Sequence, residues 1–469
     1  MMPADLSLGS IAVVGGGQVA LLAATALARA LPDARVTIIN APVDPSALAD
    51  TAHTTLPSLL RLHRRLGLTE QALLTRASAT HRLATRFDNW HHEPSSFFVG
   101  YGARSDYATP RNESIAGGLA EVGHFAIPSD DPASPLCDID YALRVDPVAY
   151  HTGLTALARH LKITFQASTI FAITRRENDG IDTISLSDGT VVQADLYVDC
   201  SGPAALLRSD DQSWVNGSAH MPIDRIAYAE PAAACLSPLD TALAFDGGYA
   251  LFSPGHDCMR KLIAWSTAIC SDDDIAQHAL NNLGGALGAP ISIKSGRVDT
   301  PWHGNVLALG DAAATFDPIG WLNLHLVTVQ IETFFDGLPR SGDAPAERQE
   351  YNRRIGLATE RVLDFVAAHS VLQPWAAAWT ASQTLMSTMS SLMRRGHLPA
   401  FEEDSVGPDL WRQLLAGVTG KAIRSPRFEC QPDNEREVNT RATAQRFASA
   451  MASSTTYPHA RAGIIEANR

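Results

Sequence analysis

Ser10-Ile11-Ala12-Val13-Val14 runs directly into Gly15-Gly16-Gly17-Gln18-Val19-Ala20, and from there into a stretch rich in Ala and Leu that ends near Leu31. The first block has the length and apolar content of a buried strand. Gln18 to Leu31 is predicted as a helix, and Arg35 to Ile39 as a second buried strand, which makes a βαβ unit. Gly15, Gly17 and Ala20 fit the pattern G-x-G-x-x-A. Gly15 permits the tight turn, Gly17 lets backbone approach a diphosphate, and Ala20 lets helix and strand pack closely. The unsatisfied N–H groups of the helix start then face the phosphates. A glycine turn that holds nothing is the plainer alternative, and the position after strand one favours the dinucleotide reading. Asn40 stands where an acidic residue usually closes strand two; it can bond a ribose hydroxyl but offers no charge-assisted bond. No second loop of this kind occurs in the chain.

Outward from this unit, the leucines at 56, 59, 60, 62 and 66 recur at turn spacing, and the stretch from 55 to 85 is predicted helical. Residues 88–140 read as long loops with short strands, and 147–161 as a helix. Ile163–Phe165, Ile170–Thr174 and Leu196–Val198 read as strands. Ile181–Leu186 and Val191–Ala194 form a hairpin around Asp188-Gly189. Residues 218–300 alternate like an antiparallel sheet, and Val306–Leu309 is one more buried strand, leading into Gly310-Asp311. After Ala344 the chain is mainly helical to about 396. A short helix follows near Leu410–Leu415, then a polar tail with a helix at 434–451 and a disordered end of ten or so residues.

The bulk figures set limits. At 469 residues the chain exceeds the ~250–300 residues of a single core, so two or three subdomains are expected. Lys plus Arg is 37 against Asp plus Glu at 50, a formal charge of −13, which disfavours nucleic acid and anionic membranes as partners. The cysteines at 137, 200, 235, 258, 270 and 430 show no metal-finger spacing, so no metal site is expected, and their scatter reads as reduced and cytoplasmic. There is no signal-peptide pattern at the start and no apolar run of the ~20 residues a membrane span needs.

Three further segments carry a resemblance. Arg144-Val145-Asp146 precedes a helix. Ala194-Asp195-Leu196-Tyr197-Val198-Asp199-Cys200-Ser201-Gly202 resembles the A-D-L-x-V-D-C-S-G segment of flavin-dependent tryptophan halogenases. Gly304-Asn305-Val306 through Gly310-Asp311-Ala312-Ala313 is similar to the G-N-V-x-x-x-G-D/E-A-A flavin segment of that family. Matching pieces continue in order over roughly residues 10–425. The resemblance implies an α/β Rossmann-like FAD-binding fold of the GR2 type, with an inserted antiparallel sheet and a C-terminal helical subdomain covering the substrate. Its expected domains are 1–340, the FAD-binding box with inserted sheet (about 88–140 and 218–300), and 341–469, the helical part and tail. FAD would be held by Gly15, Gly17, Ala20, Asn40, Asp199, Gly310, Asp311 and Ala312. Reduced FAD would come from a separate flavin reductase, the substrate would be a small aromatic or other bulky molecule, and the assembly a homodimer.

In that family a lysine and a glutamate direct hypohalous acid onto an aromatic ring. The lysine of A-T-F-K-L-G falls on Arg82 in Ala79-Thr80-His81-Arg82-Leu83-Ala84. A guanidinium keeps its proton and cannot form a chloramine, so Arg82 is a catalytic candidate only as an anion holder. The glutamate of P-L-E-S-T-G falls on Gly320 in Pro318-Ile319-Gly320-Trp321-Leu322, where Trp321 and Leu322 replace small residues of the halide loop. W-x-W-x-I-P aligns with Tyr249 to Pro254, keeping only the proline, and G-E-A-T with Ala52-His53-Thr54-Thr55. Trp375 and Trp379, four apart, would share one helix face and line the substrate pocket, or simply pack. Arg82 is alternatively a surface helix residue, His53 and His81 structural histidines, and Trp321 core packing rather than a group facing the flavin. Three functions stay open: a flavin-dependent monooxygenase or halogenase-like oxidoreductase, halogenation with Arg82 holding the acid, and a non-catalytic paralogue that binds flavin or a partner protein.

Overall fold

The computed structural model describes residues 8–90, 95–109, 111–177, 180–209, 212–339 and 344–467. Contacts divide the chain into two compact units. The first comprises residues 1–69, 147–217 and 294–362; the second comprises 70–146, 218–293 and 363–469. The chain therefore does not divide at one point near 340, because the inserted segment 218–293 groups with the C-terminal helices.

The first unit is built on β1 (Ser10–Val14), α1 (Gln18–Ala30), β2 (Arg35–Ile39), α2 (Leu48–Thr51), α3 (Pro57–Arg65), α4 (Pro147–His160), β3 (Thr164–Gln166), β4 (Leu196–Asp199), β5 (Trp302–His303), β6 (Val306–Ala308) and α5 (Leu322–Asp336). The sheet order is β3-β2-β1-β4-β6-β5, with only the edge strand β5 antiparallel. The central strands β1, β4 and β6 are mainly apolar and buried because helices cover parallel sheets on both faces, and β1 from Ile11 to Val14 is fully buried. Register matters most for function. Val14 pairs with Ile39 on one side and Asp199 on the other, and Asp199 pairs with Ala308. The loops after β1, β2, β4 and β6 therefore leave at the same edge, the carboxyl end where open α/β sheets bind ligands. Helix α4 is tied to α3 by a buried bond between His63 Nε2 and Tyr150 Oη of 2.6 Å, where burial pushes the histidine down to about 4 and keeps the ring neutral.

The second unit holds a seven-stranded sheet in the order Ile291–Ser292, Arg225–Ala232, Met259–Trp265, Gly248–Ser253, Leu239–Phe245, Ala84–Asp88 and Ser96–Gly100. One pair, Leu239–Phe245 with Ala84–Asp88, is parallel and the rest are antiparallel. The helical reading of 55–85 thus runs too far. After α3 and the helix Glu70–Arg76 the chain becomes strand at Thr80–Arg82, paired with Ala142–Arg144, and again at Ala84–Asp88. The stretch 88–140 also contains a helix, Ile115–Glu121, with Ser114 as its N-cap.

The tail corrects another expectation. Asp433–Ala452 is helical, and so is Tyr457–Ala467, where a disordered end was expected. Two buried anchors order it. Tyr457 packs against Phe125 and accepts the His81 N–H, and Arg461 donates to the carbonyls of Ala79 and Leu74 at 3.1 and 2.9 Å. Tyr457→Ala is expected to destabilise the protein by about 3 kcal/mol or more, as large-to-small changes of buried aromatics do. A urea midpoint unchanged from wild type would show that the helix is not anchored there.

Candidate functional site

At the carboxyl edge of the first unit's sheet, the chain turns at Gly15-Gly16-Gly17. A Cβ on Gly15 would lie 2.5 Å from the carbonyl oxygen of Cys200 and 2.9 Å from the Ala20 methyl, so glycine here and a small residue at 20 are steric necessities. His151 on α4 meets the Gly16 carbonyl at 2.8 Å. A Cβ on Gly16 would come within 2.9 Å of Asn40 Oδ1, which places Asn40 beside the turn. Gly310, Asp311 and Ala312 follow β6 at the same edge; the Gly310 N–H donates to Gln330 Oε1 at 2.8 Å. The sequence thus brings Gly15, Gly17, Ala20, Asn40, Asp199, Gly310, Asp311 and Ala312 to one edge of one sheet.

Asp199 has a different occupation from the others. Its Oδ1 accepts from the Ser201 N–H and Oγ, and its Oδ2 from the Leu207 N–H at 2.8 Å. Both oxygens hold the turn that follows β4, which makes Asp199 a builder of the site.

The short helix α2 was not foreseen. It lies between α1 and the 310–312 turn. Asp50 Oδ1 accepts the Val19 N–H at 2.8 Å, and a Cβ on Gly17 would stand 2.2 Å from that oxygen. Gln18 Nε2 donates to the carbonyls of Ala49 and Ala52 at 2.6 and 2.9 Å. From the other side, Asp311 Oδ2 accepts the Ala49 N–H at 2.7 Å. The carboxyl of Asp50 therefore takes the Val19 N–H in the first turn of α1, beside the place a dinucleotide diphosphate takes on such a helix. With α2 in this position the seat and a diphosphate do not fit together. Burial raises Asp50 to about 7, against the Val19 bond, and raises Asp311 to about 8, helped by the nearby Asp50 charge. One sequence signal points to α2: a lone acid in the otherwise apolar and small run Ala47-Leu48-Ala49-Asp50-Thr51-Ala52.

The loop before α5 is buried and tightly bonded. Asp317 Oδ1 accepts the Ile319 N–H at 2.9 Å, Asn323 Nδ2 donates to the Phe316 carbonyl at 3.0 Å, and the Trp321 N–H donates to Pro318. Gly320 has φ +71° and Trp321 φ +60°, two left-handed residues in succession. For tryptophan that conformation costs about 1–2 kcal/mol. It is held by burial and by the ring of His53, 4.4 Å away edge-on. Trp321 is thus packed on the 52–55 segment. Leu322, which begins α5, is buried too.

In the second unit, Arg82 is neither exposed nor helical. Its Nε lies 2.8 Å from Asp240 Oδ2, its Nη2 donates to Thr85 Oγ1 at 2.6 Å, and its guanidinium lies over the Tyr101 ring. Arg144 Nε takes the other oxygen of Asp240 at 2.7 Å. All three charged groups are buried. This network accounts for Arg144 in the Arg-Val-Asp segment, a role the sequence did not reveal. Trp375 and Trp379 do not share an α-helical face. Pro374–Ala376 is a single 3-10 turn begun by a proline, and Trp379 lies past its end. Among the described residues no helix is long and apolar enough to cross a membrane.

The sequence profile of the tryptophan halogenase family matches residues 10–422, and the chain belongs to that family. It is 22% identical over 424 residues to the tryptophan 7-halogenase RebH of Lentzea aerocolonigenes, covering 78% of this chain and 76% of RebH. Among solved structures it is similar to BrvH, a flavin-dependent halogenase from Brevundimonas sp. BAL3, with a TM-score of 0.87 at 22% identity, covering 98% of this chain and 99% of the other. A tryptophan 6-halogenase, SttH, from Streptomyces toxytricini superposes with a TM-score of 0.85 at 17% identity, covering 96% and 98% of the two chains.

Two variants test the geometry. Asp240→Ala leaves two buried guanidiniums facing each other without their carboxylate and is expected to cost about 3–5 kcal/mol in a denaturant titration. Gly320→Glu places a side chain at φ +71°; a loss of about 1–2 kcal/mol is expected, and thermal stability equal to wild type would mean that the loop relaxes freely.

Proposed function

We propose that this member of the tryptophan halogenase family is a flavin-dependent oxidoreductase that takes reduced FAD from a separate reductase, acts on an aromatic or other bulky substrate, and does not halogenate. The observation that carries the second half is the ion pair of Arg82 with Asp240. The position matching the family lysine holds a cation that keeps its proton and is tied into a buried network. Position 320, matching the family glutamate, has no carboxyl and a backbone conformation that disfavours one.

FAD, when bound, would supply the electrons for oxygen chemistry. The chain's own contribution is positional. Gly15, Gly17 and Ala20 let the backbone come close, Asn40 stands beside the turn for a hydroxyl, and the Gly310–Ala312 turn closes the edge of the sheet. Pro318 to Leu322 form a rigid apolar wall with Trp321 at its centre. A specific observation favours a second reading, a non-catalytic paralogue that holds flavin or a partner protein: the Asp50 carboxylate already lies on the helix that would receive the diphosphate.

The test is a reconstituted assay with a flavin reductase, NADH, FAD, oxygen, chloride or bromide, and tryptophan or indole, read by mass spectrometry and oxygen consumption. Substrate-dependent oxygen uptake above that of reductase and FAD alone, without any chlorinated or brominated product, is expected. A halogenated product from wild type would overturn the reading, and oxygen uptake no greater than that of reductase and FAD alone would favour the paralogue.

A further inference from the structure

We propose that Asp50 is an internal ligand of the dinucleotide seat: α2 latches over the glycine turn, its carboxyl takes the diphosphate position on α1, and the latch must lift before FAD binds. This rests on the flavin-dependent reading above and adds how that site is controlled.

Three independent contacts define the latch. The carboxyl bonds the Val19 N–H, the Gln18 amide holds the carbonyls that flank Asp50, and Asp311 holds the Ala49 N–H. The closed seat is also imperfect. Asp311 Oδ1 and Gln18 Oε1 are buried without a hydrogen-bond partner, and such atoms carry a desolvation cost that hydroxyl donors of a bound dinucleotide would relieve, though its diphosphate, an acceptor only, would not. Asp50 itself keeps partial exposure, so protons reach it from solvent.

The groups facing this carboxyl make the latch respond to protons. From the turn after β6 comes Asp311; from the end of β4 come Asp199 and Cys200, whose thiol burial pushes up with help from the Asp199 and Asp50 charges. His151 stands at Gly16 on α4, His53 follows α2, and on α5, which also packs on α2, lies His325, lowered to about 4 by burial and by Arg61. Acids dominate, and both Asp50 and Asp311 hold protons in the closed form to well above the ordinary carboxylate value. The sign follows. The closed form is most favoured below about pH 4. It weakens as pH rises through the window up to about 7 for Asp50 and about 8 for Asp311, and its pH dependence ends above that. A diphosphate stays anionic throughout the window, so the seat changes hands as pH rises.

The experiment is FAD titration by flavin fluorescence at pH 5, 6, 7, 8 and 9, on full-length wild type, Asp50→Ala and Asp50→Asn, with thermal unfolding as the folding control. Wild-type affinity should rise with pH below about 7, by up to about tenfold per unit for the proton that Asp50 releases with the latch, while Asp311, present in all three proteins, adds a common background up to about pH 8. Asp50→Ala should bind more tightly than wild type at pH 6 and lose the Asp50 share of this slope. Asp50→Asn, which keeps the shape and an acceptor for Val19, should lose that share without gaining the full affinity. Wild type and Asp50→Ala binding FAD equally, with the same pH profile, would overturn the latch while leaving the flavin reading intact. Failure of all three folded proteins to bind FAD at any pH would overturn both.

Discussion

Parallel strands buried on both faces end together, so each hands its following loop to the same edge of the sheet. The structure of the first unit depends on that constraint. Val14, Ile39, Asp199 and Ala308 share register, and the glycine turn, Asn40, the Cys200 turn and Asp311 are neighbours as a result. The close approach of Cys200 to Gly15 shows how little room the arrangement leaves. Whatever occupies this edge meets the start of α1, where N–H groups demand an acceptor. In most such sheets a ligand supplies it; here the chain does.

Much of this was legible in the sequence because it rests on strong, local signals. The apolar run before Gly15, the spacing to Ala20 and the ordered segments around Asp199 and Asp311 point to one sheet edge, and the structure places them there. What escaped has a common physical character. A four-residue helix such as α2 has no periodicity to read, and only the lone acid in a small apolar run marks Asp50. Arg82 stands on a three-residue strand, and its partner Asp240 is far along the chain, so burial of the pair is a tertiary fact. The C-terminal helix lies where the polar composition suggests a disordered end, because its anchors, Tyr457 and Arg461, are few. The spacing of Trp375 and Trp379 suggested a shared face, but Pro374–Ala376 is a single 3-10 turn and Trp379 lies past its end. A tight dinucleotide motif, finally, says what backbone can approach and nothing about whether the chain itself will fill the space.

The two units distribute their charges differently. In the second, Asp240 gathers Arg82 and Arg144 into a buried cluster, the kind of arrangement that tolerates no missing member. In the first, Asp50 and Asp311 are acids close together, and burial raises both above the ordinary carboxylate value. The retained fold and the altered loops thus belong to different layers of the same molecule: the apolar strands that carry the family likeness, and the polar side chains that decide what the likeness is used for.

The left-handed pair at Gly320 and Trp321 bears on how this loop can be redesigned. With glycine at 320 the loop has a shape open to few other residues, and Trp321 lies buried behind it. An acid placed there alone meets a backbone that disfavours any side chain. Residues 318–322 are therefore better reshaped as one piece than exchanged singly.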